Sequence, residues 1–516
     1  MKSTARRSPV LSVAKIETVK IHPAIGIARL GNSPAEFFIG PETPGAHPIP
    51  RNGYRDPQHR IKRQAARFRL FGYDKKGKLV GEVTSADANI QWTVHLVNRK
   101  AEWNEFDGLN ANTPRRNAGV ANRATLVIDP GARSLTGPNK SAAFDTGKFL
   151  GKRVPLGEVR SDTKARLLVL GGAGNSGSPT NEPLTTFANN DGWYDDVSDG
   201  PVNATVTLKT GGKIFNVAPA WVIVGAPKYA PPIDNVITLY DLLLQVAVDK
   251  LGLKLPAKPS FTKDIYPLLQ RAIKMRWVSG MVAHPKAHTG EHAAHDHAAG
   301  PAHSTLAALI PPPGSHSARA AIFKRLRDPG VPGADPSEGS DMPMIHSDFY
   351  PAESNQPLTR VQYQAMKKWK NGNFIDDWSG RPKVSRIITP EGLDRAGLES
   401  CVGGALFPGI EASWLLRDQY AYSEPFRLDP TNLKPGDVTK QMAVPWQADF
   451  TDCAQDGELA WWPAQRPDDV FSEAGGAQVP WTRGIVNNMD DMVKKWHRLG
   501  FIVKKGAKYV EIERRP

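Results

Sequence analysis

Cysteine is the scarcest residue of this sequence: 516 residues contain only two, Cys401 and Cys453. A chain with so few cysteines cannot be built on a disulfide framework. A single disulfide between these two residues is compatible with the count, and it is the alternative to a chemical role for either thiol. Both cysteines lie in the last third of the chain, which is therefore the first place to look for chemistry.

Long apolar runs are also missing. No stretch of about 18 consecutive apolar residues occurs, so we expect no transmembrane helix and no membrane partner. The N-terminus carries Arg6 and Arg7, but the segment that follows is too short for the apolar core of a signal peptide, and Lys15 interrupts it. We therefore expect a cytoplasmic protein, with export without a recognisable signal peptide as the alternative.

An excess of acidic charge is absent as well. The 66 lysines and arginines outnumber the 52 aspartates and glutamates, which gives a formal net charge of +14. The basic residues are spread along the chain and form no arm or motif typical of nucleic-acid binding. Basic residues spread in this way are explained as a surface that keeps the protein solvated, and we expect no nucleic-acid partner.

The residues that are present predict an α+β fold. Hydrophobic residues make up 40% of the chain, which is enough for large cores, and 46 glycines and 44 prolines indicate many turns and long ordered loops. Alternating, β-rich segments dominate residues 12–225, whereas apolar residues recur at helical spacing in 236–250 and 264–277. We predict a β-rich N-terminal domain at 1–234 and a mainly helical domain at 235–516 that carries the site.

A histidine-rich stretch interrupts the second domain. Seven of the thirteen histidines lie between residues 284 and 316, separated by Ala, Gly and Pro. His288 and His292 have the spacing of one helical face, but with Glu291 between them they do not form an H-E-x-x-H motif. We expect a flexible insertion at about 284–316 rather than a metal site.

A second motif also has a structural explanation. Residues 171–177 contain a formal G-x-G-x-x-G after a predicted strand, and Asp195 follows about twenty residues later. A dinucleotide site needs a helix directly after the glycines, because the helix N-terminus holds the pyrophosphate. Pro179 and Pro183 argue against that helix, so we expect a glycine-rich loop with no cofactor.

The unusual runs lie in the last third. Residues 401–411 read CVGGALFPGIE, a loop that is rich in glycine and yet apolar, which is typical of a place where backbone or a bulky group approaches closely. Residues 445–450 read PWQADF, and residues 461–469 read WWPAQRPDD. At the other end of the chain, residues 21–33 read IHPAIGIARLGNS.

These runs resemble the lysine ε-oxidase/glycine oxidase family, and the similarity spans nearly the full length. Members of that family build a cysteine tryptophylquinone from their own side chains. The resemblance implies that Cys401 supplies the thioether sulfur and that Trp461 or Trp462 becomes the quinone. Adjacent residues of an extended segment face opposite sides, and Pro463 restricts Trp462, which favours Trp462 as a rigid wall and Trp461 as the cofactor.

The resemblance also implies an activity and partners. We expect a quinoprotein oxidase that deaminates a primary amine or amino acid, glycine-like or lysine-like, with O2, and releases an aldehyde or oxo-acid, ammonia and H2O2. We expect an FAD-dependent maturation protein, because two oxygen insertions and a cross-link are demanding chemistry, and we expect a homo-oligomer. The alternative function is a catalytically inactive structural or binding relative in which the quinone never forms.

Catalysis of this kind needs a base near the quinone. The carboxylates close to the motifs are those of Asp394, Glu399, Glu411, Asp449 and Asp452. Glu411 and Asp449 are the candidates because they lie inside apolar runs, where burial raises a carboxyl pKa. Either could equally be an acceptor for backbone N–H groups. A thiol-hydrolase role for Cys401 would need a histidine, and outside the histidine-rich stretch this third holds only His346 and His497.

Overall fold

The computed structural model describes residues 13–106, 113–279, 314–330, 357–382, 385–403, 412–452, 462–473 and 476–515. Most of the histidine-rich stretch, residues 404–411 with Glu411, and residues 453–461 with Cys453 and Trp461 lie outside the described residues. His346 also lies outside them.

Strands dominate the first half of the chain, and most helices follow it. The strands are β1 (Thr18–His22), β2 (Ile25–Arg29), β3 (Phe37–Ile39), β4 (Arg63–Tyr73), β5 (Leu79–Val83), β6 (Ala88–Val94), β7 (Arg133–Thr136), β8 (Ser141–Ala143), β9 (Lys148–Phe149), β10 (Lys152–Arg153), β11 (Gly157–Ser161), β12 (Leu167–Gly171), β13 (Ser176–Gly177), β14 (Tyr194–Asp195), β15 (Ser198–Leu208), β16 (Ile214–Asn216), β17 (Ala220–Gly225), β18 (Tyr422–Glu424), β19 (Arg427–Leu428), β20 (Asp469–Phe471), β21 (Gln478–Pro480), β22 (Phe501–Lys505) and β23 (Lys508–Ile512). The helices are α1 (Leu239–Lys250), α2 (Tyr266–Lys274), α3 (His316–Lys324), α4 (Arg360–Lys370), α5 (Pro390–Glu399), α6 (Trp446–Asp452) and α7 (Met489–Lys495).

One large sheet organises the β-rich part. Its thirteen described strands follow the main order β7-β6-β15-β17-β2-β4-β12-β11-β8, with β1, β3, β5 and β16 paired at its sides. Most pairs are antiparallel, but β2 and β17 run parallel, with Ile27 beside Ile223 and Arg29 beside Gly225. Every residue of these two strands is buried, because helices and loops of the second half cover them.

Local sequence explains several elements. The hairpin of β4 and β5 turns at Gly77, within the polar segment 74–78 that predicts a turn. The φ of Gly77 is +72°, a value that glycine adopts without strain. Strand β6 buries alternate residues, among them Trp92. The strand ends at Val94, and beyond it Val97 and Asn98 form isolated bridges to Asp199 and Ile128. In the sequence the change from strands to helices comes between Gly225 and Leu239, and the α+β prediction is confirmed. The domain division at residue 234 stays a prediction.

Capping residues set where helices begin. Thr238 forms a capping box with Asp241, so α1 begins at Leu239, three residues after its predicted start. Thr359 caps α4 in the same way, and Gly372 follows its end with a φ of +75°, as predicted. Each such cap contributes about 1 kcal/mol to stability. Helix α7 is shorter than the helix that the apolar spacing of residues 487–499 predicts. The chain tightens into a 3-10 turn at Trp496–Arg498 instead of continuing the α-helix.

No helix follows the glycine-rich loop after β12 among the described residues. Ser176 and Gly177 instead form β13, which pairs with β14. The backbone N–H groups of Gly174 and Asn175 donate to Oδ2 of Asp196 at 2.9 and 3.0 Å. A Cβ on Gly172 would lie 2.4 Å from that oxygen, and one on Gly174 would lie 2.2 Å from the ring of Trp496. Close packing therefore requires these two glycines.

None of the described helices has the length and apolar character needed to cross a membrane. Within the described ranges, no three or more His, Cys, Asp or Glu side chains are placed together to hold a metal ion. His95, on the sheet, has its Nε2 2.7 Å from Asp129.

Asp196 makes stability depend on pH. Burial raises the pKa of its carboxyl to about 7, although the two backbone donors oppose the shift. Because this pKa exceeds that of the unfolded chain, the stabilising contribution is complete below about pH 4 and is lost as the pH rises through about 7. We expect the free energy of unfolding to fall between pH 5 and pH 8, with this group contributing on the order of 2–4 kcal/mol.

Asp196→Asn keeps a neutral acceptor and should flatten that dependence, so that the unfolding temperature of the variant exceeds that of the wild type at pH 8 more than at pH 5. Asp145→Asn, which removes a half-exposed carboxylate paired with Arg153, is the matched control and should retain the wild-type dependence. Parallel curves for Asp196→Asn and wild type would contradict the assignment.

Candidate active site

Cys401 lies just after helix α5, on the face of the sheet that α5 covers. Thr389 caps the start of α5, and Gly397 approaches β2 so closely that a Cβ there would lie 3.4 Å from Ile27. Cys401 is 2% exposed, and Cys453, the other residue of the alternative disulfide, lies outside the described residues. The Sγ of Cys401 donates to the carbonyl of Gly397 at 3.5 Å.

Arg29, the last residue of β2, reaches the same sulfur. Its Nη2 lies 3.5 Å from Sγ of Cys401 and donates to the carbonyl of Ser400 at 3.1 Å, while its Nη1 donates to the carbonyl of Ala226 at 2.9 Å. The side chain is 2% exposed. A buried guanidinium beside a sulfur stabilises negative charge there, because few water molecules screen it.

The segment that follows Trp462 is tied to the same carbonyl. Gln465 donates from Nε2 to Ala226 at 3.2 Å and to the carbonyl of Pro227 at 2.9 Å. The backbone N–H of Gln465 donates to the carbonyl of Trp462 at 2.9 Å, which makes the chain turn after the tryptophan. The carbonyl of Ala226 thus accepts from both Arg29 and Gln465, and it links the Cys401 segment to the Trp462 segment.

Trp462 is 2% exposed and packs among aromatic rings. Its ring centroid lies 5.2 Å from that of Phe450, which in turn lies 4.8 Å from Trp446 and 6.3 Å from Tyr229. The indole N–H of Trp462 is buried and has no hydrogen-bond partner among the described residues. Such an N–H costs free energy unless a group outside the described part satisfies it.

Asp449 lies on helix α6, one residue before Phe450, and it is fully buried. Its position on the helix whose Phe450 contacts Trp462 keeps it a candidate base. Glu411, the other candidate, lies outside the described residues, as does the side chain of Asp452.

Two further carboxylates named from the sequence have structural partners. Asp394 lies 2.9 Å from Nδ1 of His22 and accepts from the backbone N–H of Ala24 at 2.5 Å. Glu399 accepts from Arg395 at 2.6 Å and lies 3.5 Å from Arg271. Both groups fix α5 to its neighbours, which explains their presence without a catalytic role.

A narrow cavity of about 30 Å³ adjoins Arg29 and Ser400, room for one or two water molecules. His47 and Lys228 line it, and both contact Asp234, at 2.7 and 2.6 Å. Burial would raise the pKa of the Asp234 carboxyl, but these two partners hold it well below its usual range. Most of the surface that lines this cavity is apolar, and Lys62 and Lys228 are among its lining residues.

Sequence reasoning missed Arg29 and Gln465 as site residues. Arg29 was part of the quoted run 21–33, and a charge in a strand whose other residues are apolar is a signal for a buried, specific contact. Gln465 gave no such signal, because only the tertiary structure brings Ala226 beside it.

Comparisons with known proteins agree along the chain. Residues 22–224 match the family model described as L-Lysine epsilon oxidase N-terminal, and residues 336–474 match the L-lysine epsilon oxidase C-terminal domain. A curated relative, L-lysine 6-oxidase of Marinomonas mediterranea, is 26% identical over 654 aligned residues, which cover 94% of this chain and 87% of the relative.

Solved structures give the same result. The structure of the ε-lysine oxidase from Marinomonas mediterranea superposes with a TM-score of 0.78 at 25% identity, covering 96% of this chain and 95% of that chain. The structure of the Schiff base intermediate of that L-Lys ε-oxidase with L-Lys gives a TM-score of 0.77 with the same coverage. The likeness therefore extends over both halves of the fold and is not limited to the site.

Proposed function

This chain belongs to the L-lysine ε-oxidase family of amino-acid oxidases, and from that premise we propose that it oxidatively deaminates a primary amine or amino acid with O2. The products are an aldehyde or oxo-acid, ammonia and H2O2. The observation that carries the proposal is the match of both family domains in one chain whose fold follows the solved oxidase over 96% of its length.

The substrate we propose is a small amino acid, L-lysine at its ε-amino group or a glycine-like α-amine. The relative's name identifies lysine for that protein, and 26% identity allows the residues that contact the substrate to differ. The proposal also includes a cytoplasmic location and a homo-oligomer.

We propose cysteine tryptophylquinone as the cofactor, formed by one of Trp461 and Trp462 with a cysteine sulfur. The residues fit such a group, since Trp462 has a buried indole N–H without a described partner and aromatic rings close the site to water. When formed, the group accepts two electrons from the amine and passes them to O2. Arg29 would hold the turn at Cys401, and Gln465 the turn after Trp462.

The proposed base is Asp449 or Glu411, which removes the proton from the carbon next to the amine. For Asp449, complete burial on the helix that packs against Trp462 supports the role. A carboxylate in a site that excludes water is a stronger base than one in solution.

Two cysteines are candidates for the sulfur. Cys401 is the one the sequence motif implies, and the contact with Arg29 supports it. Cys453 directly follows α6 in sequence, and Phe450 of α6 packs against Trp462. Among the described residues, a chain of hydrogen bonds through Arg29, Ala226 and Gln465 connects Cys401 to the Trp462 segment. We keep Cys401 as the proposed donor and treat Cys453 as its competitor.

The function is tested with purified mature protein. We expect absorbance in visible light, staining in a redox-cycling quinone assay, and H2O2 release with O2 uptake on addition of L-lysine, glycine or another amine from a panel. Colourless protein that releases no peroxide with any amine would support the inactive relative and overturn the proposal.

The site is tested by mass. We expect the intact mature protein to exceed the encoded mass by two oxygen atoms less the hydrogens lost in ring oxidation and thioether formation. Peptide mapping should find Cys401 joined to Trp461 or Trp462, and Cys401→Ala should lose colour and activity while keeping its unfolding temperature within a few degrees. Cys453→Ala is the matched variant, and a thioether from Cys453 would overturn the choice of Cys401.

The proposed maturation partner is an FAD-dependent protein. Inserting two oxygens into an indole requires an oxidant and a flavin or metal catalyst, and the described residues offer no metal site. We expect protein made in a host without such a partner to keep its encoded mass, and coexpression of the flavoprotein to restore the added oxygens. Fully mature protein from the first host would contradict this.

A further inference from the structure

The chain that leads into α6 passes through a buried polar cradle made by the β-rich part. Residues 442–447 have no solvent exposure. Their backbone groups bond to four buried side chains: Met442 O to Arg116 Nη1 at 2.8 Å, Ala443 O to Lys100 Nζ at 2.8 Å, Val444 O to Asn190 Nδ2 at 3.0 Å, and Trp446 N to Asp195 Oδ2 at 3.0 Å.

Lys100 and Asp195 form the charged centre of this cradle. Both side chains are completely buried, and Nζ lies 2.7 Å from Oδ2. Asn98 donates to the other carboxylate oxygen at 2.9 Å. A buried ion pair gains little stability over apolar residues, because removing both charges from water costs several kcal/mol per ion. A role in fixing geometry explains the pair better than stability does.

The geometry that it fixes is that of helix α6. Asp195 accepts from the first residue of the helix, and Lys100 holds the carbonyl three residues earlier. Asp449 follows three residues after Trp446, one helical turn further on, and Phe450 packs on Trp462. A shift at the start of α6 would therefore move the candidate base and the ring contact together.

We propose that Lys100 and Asp195 are positioning residues of the active site: the pair fixes the start of α6 and thereby the place of Asp449 and of the Phe450 ring that packs on Trp462. This inference rests on the proposed function. It assigns a role to Lys100 and Asp195, which both lie in the β-rich part of the chain.

The positioning role is tested first without catalysis, by hydrogen exchange in the full chain. Lys100→Met and Asp195→Asn should each raise deuterium uptake in peptides that span residues 442–452 at least several-fold at early times. Arg427→Met is the matched control: it removes a buried cation paired with Glu424, distant in its contacts from α6, and should leave those peptides unchanged. Equal uptake in all four proteins would overturn the positioning role.

The catalytic consequence is tested on mature protein, with rates divided by the quinone absorbance. Lys100→Met should lower kcat roughly tenfold with little change in KM, because the start of α6 moves while the substrate-binding residues stay in place. Arg427→Met should keep the wild-type kcat and KM.

An unchanged kcat in Lys100→Met, or a loss confined to KM, would overturn the positioning role in catalysis. Wild-type protein that oxidises no amine would instead refute the proposed function. The hydrogen-exchange result would still test the positioning of α6, because it does not depend on catalysis. Should Lys100→Met fail to fold, Asp195→Asn with the same two measurements decides.

Discussion

The parallel pairing of β2 with β17 is the constraint on which the site depends. It places Arg29 beside Gly225 at the ends of two adjacent strands, so that the guanidinium meets the carbonyl of Ala226 one residue later. Helix α5 packs on β2 at Gly397 and places Cys401 beside the guanidinium. Gln465, in the turn after Trp462, donates to the same carbonyl. Without that register, segments about 60 residues apart in sequence would have no shared anchor.

A second principle is that backbone carbonyls of loops satisfy the buried cations around the site. Arg29 binds the carbonyls of Ser400 and Ala226, Arg116 binds that of Met442, and Lys100 binds that of Ala443. Each such bond replaces the water that the charge lost on burial, and in exchange it fixes a loop that has no regular structure of its own. Loops of the C-terminal half are held in this way by side chains of the β-rich part.

The glycine-rich loop shows how the same residues can suggest a cofactor and serve packing. Gly172 and Gly174 bring the backbone onto Asp196 and Trp496, and Gln447 of α6 donates to the carbonyl of Gly174 at 3.2 Å. The loop therefore also supports α6. The formal dinucleotide motif arises because the backbone needs glycine to approach a neighbouring group closely, whether that group is a cofactor or a packed side chain.

The sequence by itself determined the α+β class, the hairpin at Gly77, the cap at Thr359, and the family, because these depend on local periodicity, turn chemistry and long motifs. It named Cys401, Trp462 and Asp449 but gave no distances between them. Only the tertiary structure decided that Arg29, Gln465, Lys100 and Asp195 hold these segments, since their contacts span 95 to 372 residues of sequence. No local pattern encodes a partner so distant, because chain topology sets which carbonyl a buried charge meets.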